Sequence, residues 1–404
     1  MIRYILAVSA SLFLATSCNI DDKYYGPENM DVEHLLQPAY AEDWTKNADQ
    51  LNEVLLNRFL DRDQGLFFAT NDNRLPDRNR VNYWPQAHAM DVLIDAYLRL
   101  GAQDPRKKEF EDIMDRWYAN KAGNYDEQNK GTYGFGNAFT DDSEWVILTL
   151  IRMYEATGRQ EYLRAAASTY EESIITRWSD DENGGGIRWS LNAENSKNAC
   201  SNAPAIIIAM RLRAHTSNVE MQEKLLDDAR KIYNWLSSTL YNPQTGGVAD
   251  LMKDGQVQGG TLTYNQGTFI GAAHELYKVT KDEKYLTEAI KALRYTFRNK
   301  TANGILHNEG SGDNALFKGI FIRYAMNLWQ DKSLDAVASG IRKEIEQFLI
   351  YNGLICWTKG LDLSDNSNYF FGASWTEHGS SWEGLLNEQV CGSTMIEAMT
   401  QLIP

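Results

Sequence analysis

Residues 141–158 read DDSEWVILTLIRMYEATG. From Trp145 to Met153 only Thr149 and Arg152 interrupt the apolar residues, and a helix that is apolar nearly all round is buried all round. The segment is therefore predicted to be an inner helix, wrapped by others. Five more segments share its character: 84–100 (WPQAHAMDVLIDAYLRL), 202–216 (NAPAIIIAMRLRAHT), 266–280 (QGTFIGAAHELYKVT), 316–329 (LFKGIFIRYAMNLW) and 388–402 (EQVCGSTMIEAMTQL).

What precedes these segments is periodic. A polar turn, then glycine, then aliphatic or aromatic residues recurs at 61–68 (DRDQGLFF), 130–135 (KGTYGF), 182–189 (ENGGGIRW), 244–251 (QTGGVADL), 301–307 (TANGILH) and 351–357 (YNGLICW). Before these turns lie charge-rich amphipathic stretches such as 219–236 (VEMQEKLLDDARKIYNWL) and 282–299 (DEKYLTEAIKALRYTFRN), apolar at i, i+3, i+4 and i+7. These are predicted outer helices. Six outer and six inner helices make an all-α chain, an (α/α)6 toroid. A tetratricopeptide-like solenoid would repeat near every 34 residues, and the spacing here, roughly 50 to 65 residues, is nearly double that.

Direction follows from the pattern. The glycine turns always lead from an outer helix into an inner one, so all six inner helices should start on one face, where loops, aromatic rings and positive dipole ends converge. The opposite face has short connections, such as 156–160 (ATGRQ) and 279–283 (VTKDE). A cleft is expected at the inner-helix N-termini, lined by Tyr83, Trp84, Asp141, Asp142, Trp189, Asn198, Asn202, Tyr264, Gln266, Phe317, Lys318 and Trp382. The aromatic rings offer flat platforms for sugar faces or, equally, core packing. Gln266 and Lys318 read as site residues, because an amide or charge at the start of a buried helix needs a reason.

Asp141 and Asp142 admit two readings. Asp141 with Glu144 three residues later has capping-box spacing, and aspartates in a first turn complement the helix dipole. The pairs Asp180-Asp181 and Asp227-Asp228 read as solvated charges. Unlike them, Asp141 and Asp142 follow an aromatic and glycine loop, YGFGNAF, and start an inner helix. Neighbouring carboxylates held roughly 5 Å apart suit a retaining glycosidase, and their mutual repulsion would leave a neutral acid beside an ionised nucleophile.

Three segments, TDDSEWVILTL (140–150), TYNQGTFIGAAHELYKVT (263–280) and ALFKGIFIRYA (315–325), resemble the hallmark segments of glycoside hydrolase family 76, the endo-α-1,6-mannanases. The resemblance implies the (α/α)6 fold and retaining hydrolysis of α-1,6-linked mannan. It also implies that Asp141 is the nucleophile and Asp142 the acid/base. An aromatic residue often precedes the pair in that family; here Thr140 does, with Phe139 one residue earlier. Transglycosylation, as in fungal members, and non-catalytic glycan capture are the alternatives.

Composition narrows the partners. In 404 residues, 43% of them hydrophobic, the formal charge of −15 argues against nucleic acid. The six histidines show no HExxH or other ligand spacing, EGSGDNALFKG lacks the ending of a phosphate loop, and no GxSxG elbow occurs. Neither a metal nor a cofactor is expected, and the domain should act as a monomer on α-mannan.

The N-terminus, MIRYILAVSASLFLATSC, pairs Arg3 with an apolar run and small residues before Cys18 and reads as an export signal. It resembles a bacterial lipoprotein signal, with Cys18 lipidated, and the following Asn19-Ile20-Asp21-Asp22 resembles a Bacteroidetes surface-export tag. The expected division is a signal peptide at 1–17, a lipidated linker at 18–38 and a catalytic domain at 39–404. Its membrane contact would be through the lipid alone, at the outer membrane, facing the surface or else the periplasm. Cys200, Cys356 and Cys391 read as buried hydrophobes, with a Cys356–Cys391 bridge left open.

Overall fold

A computed structural model describes residues 32–74, 79–80, 82–192, 195–364, 369–379 and 383–404. Cys18, the signal segment and Trp382 lie outside the described residues. After a short helix, α1 (Val32–Leu36), the described chain forms twelve longer helices in strict alternation. The outer ones are α2 (Trp44–Val54), α4 (Arg106–Ala119), α6 (Gln160–Ser173), α8 (Val219–Thr239), α10 (Glu283–Asn299) and α12 (Ile341–Gly360). The inner ones are α3 (Tyr83–Arg99), α5 (Thr140–Thr157), α7 (Ala199–Ala214), α9 (Thr263–Thr280), α11 (Phe317–Gln330) and α13 (Leu386–Leu402). Each inner helix packs on the next, and α13 packs back on α3, closing the ring. The fold is the predicted (α/α)6 toroid. Leu36 is buried, so packed chain reaches back into the stretch read as linker.

Burial follows the sequence pattern. On α10 the buried positions are Tyr285, Leu286, Ala289, Ala292, Leu293, Thr296 and Phe297, a single stripe, whereas α9 is buried continuously from Thr263 to Tyr277. The one basic residue of α5, Arg152, is neutralised in the interior by Asp91 at 2.7 Å and by Asp95, as a buried charge requires. Cys200, Cys356 and Cys391 are buried free thiols, so the Cys356–Cys391 bridge is absent.

The glycine turns are held by one device used repeatedly. The Gln86 amide accepts from Phe67 N and donates to Phe67 O, both at 2.9 Å. Asn202 does the same to Ile187, at 2.8 and 3.0 Å, and Gln266 to Val248, at 3.2 and 3.0 Å. An amide side chain at the start of an inner helix thus stands in for a neighbouring strand, satisfying buried backbone groups that would otherwise cost about 1–3 kcal/mol each. Close approach comes from glycine: a Cβ on Gly246, whose φ is +88°, would sit 2.4 Å from the Lys291 carbonyl. Replacing Gln266 with leucine should lower stability by about 2–4 kcal/mol, read as a lower thermal midpoint.

The same device explains a misread turn. Residues 351–357 lie inside α12. There Asn352 clamps the fifth turn, accepting from Leu306 N and donating to Gly304 O, each at 2.9 Å. Gly353 lets α13 approach, since a Cβ there would lie 2.3 Å from Met399 Sδ. The sixth connection to an inner helix is the later segment after Gly360.

None of the six inner helices has a side-chain N-cap, whereas α2, α8 and α10 are capped by Asp43, Asn218 and Asp282. Several inner helices instead anchor their first N–H to the next loop around the ring. Thr140 N donates to Trp189 O and Ala199 N to Asp250 O, each at 2.8 Å, and Thr263 N donates to the Glu309 carboxylate at 3.1 Å. Leu386 N donates to Ala69 O at 2.9 Å, joining the last repeat to the first.

Candidate active site

The anchored loops enclose a cavity of about 570 Å³ over the inner-helix N-termini, with Asp141 and Asp142 on its wall. A second cavity, of about 430 Å³, lies at the opposite ends of the helices. Its charges are spent on one another: Arg99 pairs with Glu397 at 3.1 Å and Arg323 with Asp95 at 3.0 Å. The first cavity is the one with unspent polar groups.

The capping box is not formed. Phe139 is the N-cap of α5, and the Glu144 carboxyl is fully buried with neither oxygen hydrogen-bonded. Burial, reinforced by the Asp141 charge and only partly offset by Arg177, pushes Glu144 well above the usual carboxylate range. The loop end is fixed by Ser143, whose Oγ accepts from Asn137 N at 2.8 Å.

The two aspartates have different surroundings. Burial raises Asp141 to about 6, against the opposing donors of Cys200, Trp189 and the first-turn backbone N–H groups. The Cys200 thiol donates to Asp141 Oδ2 at 3.4 Å. Asp142 is pushed well above its ordinary value by burial and by the charges of Asp141 and Asp313, with the Tyr125 hydroxyl opposing. That hydroxyl lies 3.5 Å from Asp142 Oδ2. Asp142 thus holds its proton more tightly than Asp141, the inequality that acid-assisted displacement needs.

Of the other predicted residues, Trp84, Trp189, Asn198, Tyr264 and Phe317 line the cavity. Tyr264 stacks on Phe317 with ring centroids 4.0 Å apart, and Trp189 packs on Phe139 at 5.2 Å. Asn198 accepts from Ser196 Oγ at 2.7 Å. Four predictions are corrected. Tyr83 is buried beneath the site, donating to Phe135 O at 2.9 Å. Asn202 and Gln266 are backbone clamps. Lys318 is buried, donates to the Ala373 carbonyl and lies 4.7 Å from the Trp375 ring centroid, so it fastens the last loop.

Sequence reasoning missed three polar groups. Asp250 accepts from the Tyr264 hydroxyl at 3.1 Å and from Asn265 Nδ2 at 2.9 Å. Asp313 accepts from Trp84 Nε1 at 3.2 Å. Tyr125, 57% exposed, stands at the rim. The usable signal was position, since Asp250 follows a glycine turn and Asp313 lies just before an inner helix. Among the described residues no cluster of three or more His, Cys, Asp or Glu is placed to hold a metal ion.

Comparison with known proteins gives a consistent result. The family described as glycosyl hydrolase family 76 matches residues 43–402. The α-1,6-mannanase GH76A of Salegentibacter sp. HEL1_6, solved with α-1,6-mannotriose as an inactive variant with two successive aspartates replaced by asparagine, aligns at TM-score 0.76 and 34% identity, over 89% of this chain and 100% of that one. A family 76 α-mannanase of Bacteroides thetaiotaomicron aligns at TM-score 0.71 and 18% identity, over 92% of this chain and 99% of that one, a likeness of fold. A putative mannan endo-1,6-alpha-mannosidase of Schizosaccharomyces pombe is 23% identical over 61% of this chain and 59% of its own length. The mannan endo-1,6-alpha-mannosidase DCW1 of Saccharomyces cerevisiae is 29% identical over 38% of this chain and 36% of its own. The match thus spans less than two thirds of these fungal relatives.

Proposed function

This chain belongs to glycosyl hydrolase family 76, and from that premise we propose that it hydrolyses α-1,6-mannosidic bonds within mannan chains, retaining the anomeric configuration. The observation that carries the reading is the unequal aspartate pair at the uncapped start of α5, on the wall of the aromatic cavity. Asp141, the more readily ionised, attacks the anomeric carbon from the face opposite the leaving oxygen. Asp142, held protonated, donates its proton to that oxygen as the bond breaks. The carboxylate left on Asp142 then takes a proton from water, which displaces Asp141 and restores the α configuration. The inactive Salegentibacter variant supports this reading, because the change that disables it falls on two successive aspartates.

The test is product analysis on unbranched α-1,6-mannan without added metal. A ladder of oligosaccharides should form early, with the α-anomer appearing first by NMR. Mannose as the sole early product would mean chain-end action, a β-anomer would mean inversion, and chains longer than the substrate would mean transfer to sugar acceptors.

The export reading of the N-terminus supports a place on the outer membrane, facing the cell surface and tethered by lipid on Cys18. Cys18→Ala should move the protein from the membrane fraction to a soluble exported form. Continued partition with membranes would sink the lipoprotein reading.

A further inference from the structure

We infer that Cys200 is a positioning residue for the nucleophile: its thiol, on the floor of the cavity, fixes the Asp141 carboxylate for attack. This rests on the reading of Asp141 above. Cys200 is in the first turn of α7, is 2% exposed and lines the cavity. Its Sγ is 3.4 Å from Asp141 Oδ2. Beside it lies Tyr264, whose hydroxyl donates to Asp250 Oδ1 at 3.1 Å. The thiol therefore lies against the nucleophile, and the carboxylate it touches is on the cavity wall.

The choice of sulfur has a chemical consequence. A thiol is a weak donor, whereas a hydroxyl bonded to a carboxylate is a short, strong one. A strong donor would stabilise the charge that must be given up in attack, lowering nucleophilicity along with basicity. The thiol orients Asp141 while leaving it basic. Burial also pushes the Cys200 thiol well above its ordinary range, with the Asp141 and Asp250 charges adding to that, so it stays protonated and remains a donor. The other ionisable groups facing Asp141 are Asp142 and Glu144 on its own helix, Arg177 after α6 and Tyr264 on α9, while Asp250 in the loop before α9 faces the thiol.

Cys200→Ser and Cys200→Ala distinguish positioning from packing, using kcat/KM against pH for an aryl α-1,6-mannobioside. With serine, the acidic limb should move down by about half a unit to one unit, because the stronger donor favours the ionised carboxylate. With alanine it should move up, with about a tenfold loss at the optimum. In the wild-type protein, the infrared S–H stretching band of Cys200 should shift to lower frequency as pH rises through about 6, and should stop titrating in Asp141→Asn. That measurement stands even if a Cys200 variant misfolds. Rate losses that are equal at every pH, or an S–H band indifferent to Asp141, would overturn the inference. Full activity in Asp141→Asn would instead overturn the nucleophile reading beneath it.

Discussion

Asp141→Asn is expected to lower mannan cleavage by roughly 10⁴-fold or more while raising stability. Asparagine caps a helix about as well as aspartate, and the N-cap position of α5 belongs to Phe139. What the change removes is the attacking oxygen. The stability gain comes from the same burial that lifts the group to about 6. A carboxyl whose folded-state pKa exceeds its unfolded value costs stability once pH passes the unfolded value. The cost grows until pH passes the folded value and is complete above it. The wild type should therefore lose stability between about pH 4 and pH 6 on this account, and the asparagine variant should keep it. At pH 7 to 8 the variant should be more stable by about 1–3 kcal/mol, seen as a higher midpoint in urea. An active variant, or an inactive one that is also destabilised, would contradict this assignment.

Asp142→Asn should fail in a different step. A substrate with a good leaving group needs no proton, so the mannosyl-enzyme should form and accumulate, and turnover should stall for want of a base. Azide needs no deprotonation. Added to this variant, it should restore turnover and yield the α-mannosyl azide, retained through two displacements. The wild-type rate should decline at alkaline pH as Asp142 loses the proton that its surroundings hold above the ordinary range. The variant, assayed with an activated substrate, should show no such decline. Recovery of a β-azide, or azide rescue of Asp141→Asn in place of Asp142→Asn, would exchange or remove the two roles.

The helix architecture was legible because burial on all sides and burial on one stripe leave different periodicities, as α9 and α10 illustrate. The aspartate pair was legible because like charges at a buried helix start are costly without a use. The rest depended on partners remote in sequence. Gln266 and Asp250 both follow the same glycine turn, yet one faces Val248 and the other the cavity, and no local pattern separates them. Asn352-Gly353 has the composition of a turn, but its amide serves the chain 46 residues earlier, so the helix continues through it. Tyr125 is far from the pair in sequence terms, 17 residues before Asp142, and only the folding of its loop brings them together.

The amide clamps fix the start of four of the long connections. Chain from 68 to 82, 188 to 198, 249 to 262 and 307 to 316 leaves a clamped residue and re-enters the barrel at an inner helix. Both ends of such an insert are pinned to the frame, and the chain around Ala69, Trp189, Asp250 and Glu309 holds the first N–H of a neighbouring inner helix, so change is tolerated between these fixed points, where loop lengthening costs little entropy. Substrate preference can then drift through the other insert residues while Trp189, Asp250 and Asp313 keep their places beside the aspartate pair. Grafting the remainder of these four segments between relatives, with Gln86, Asn202, Gln266, Asn352, Trp189, Asp250, Glu309 and Asp313 left untouched, should change which branched chains are accepted.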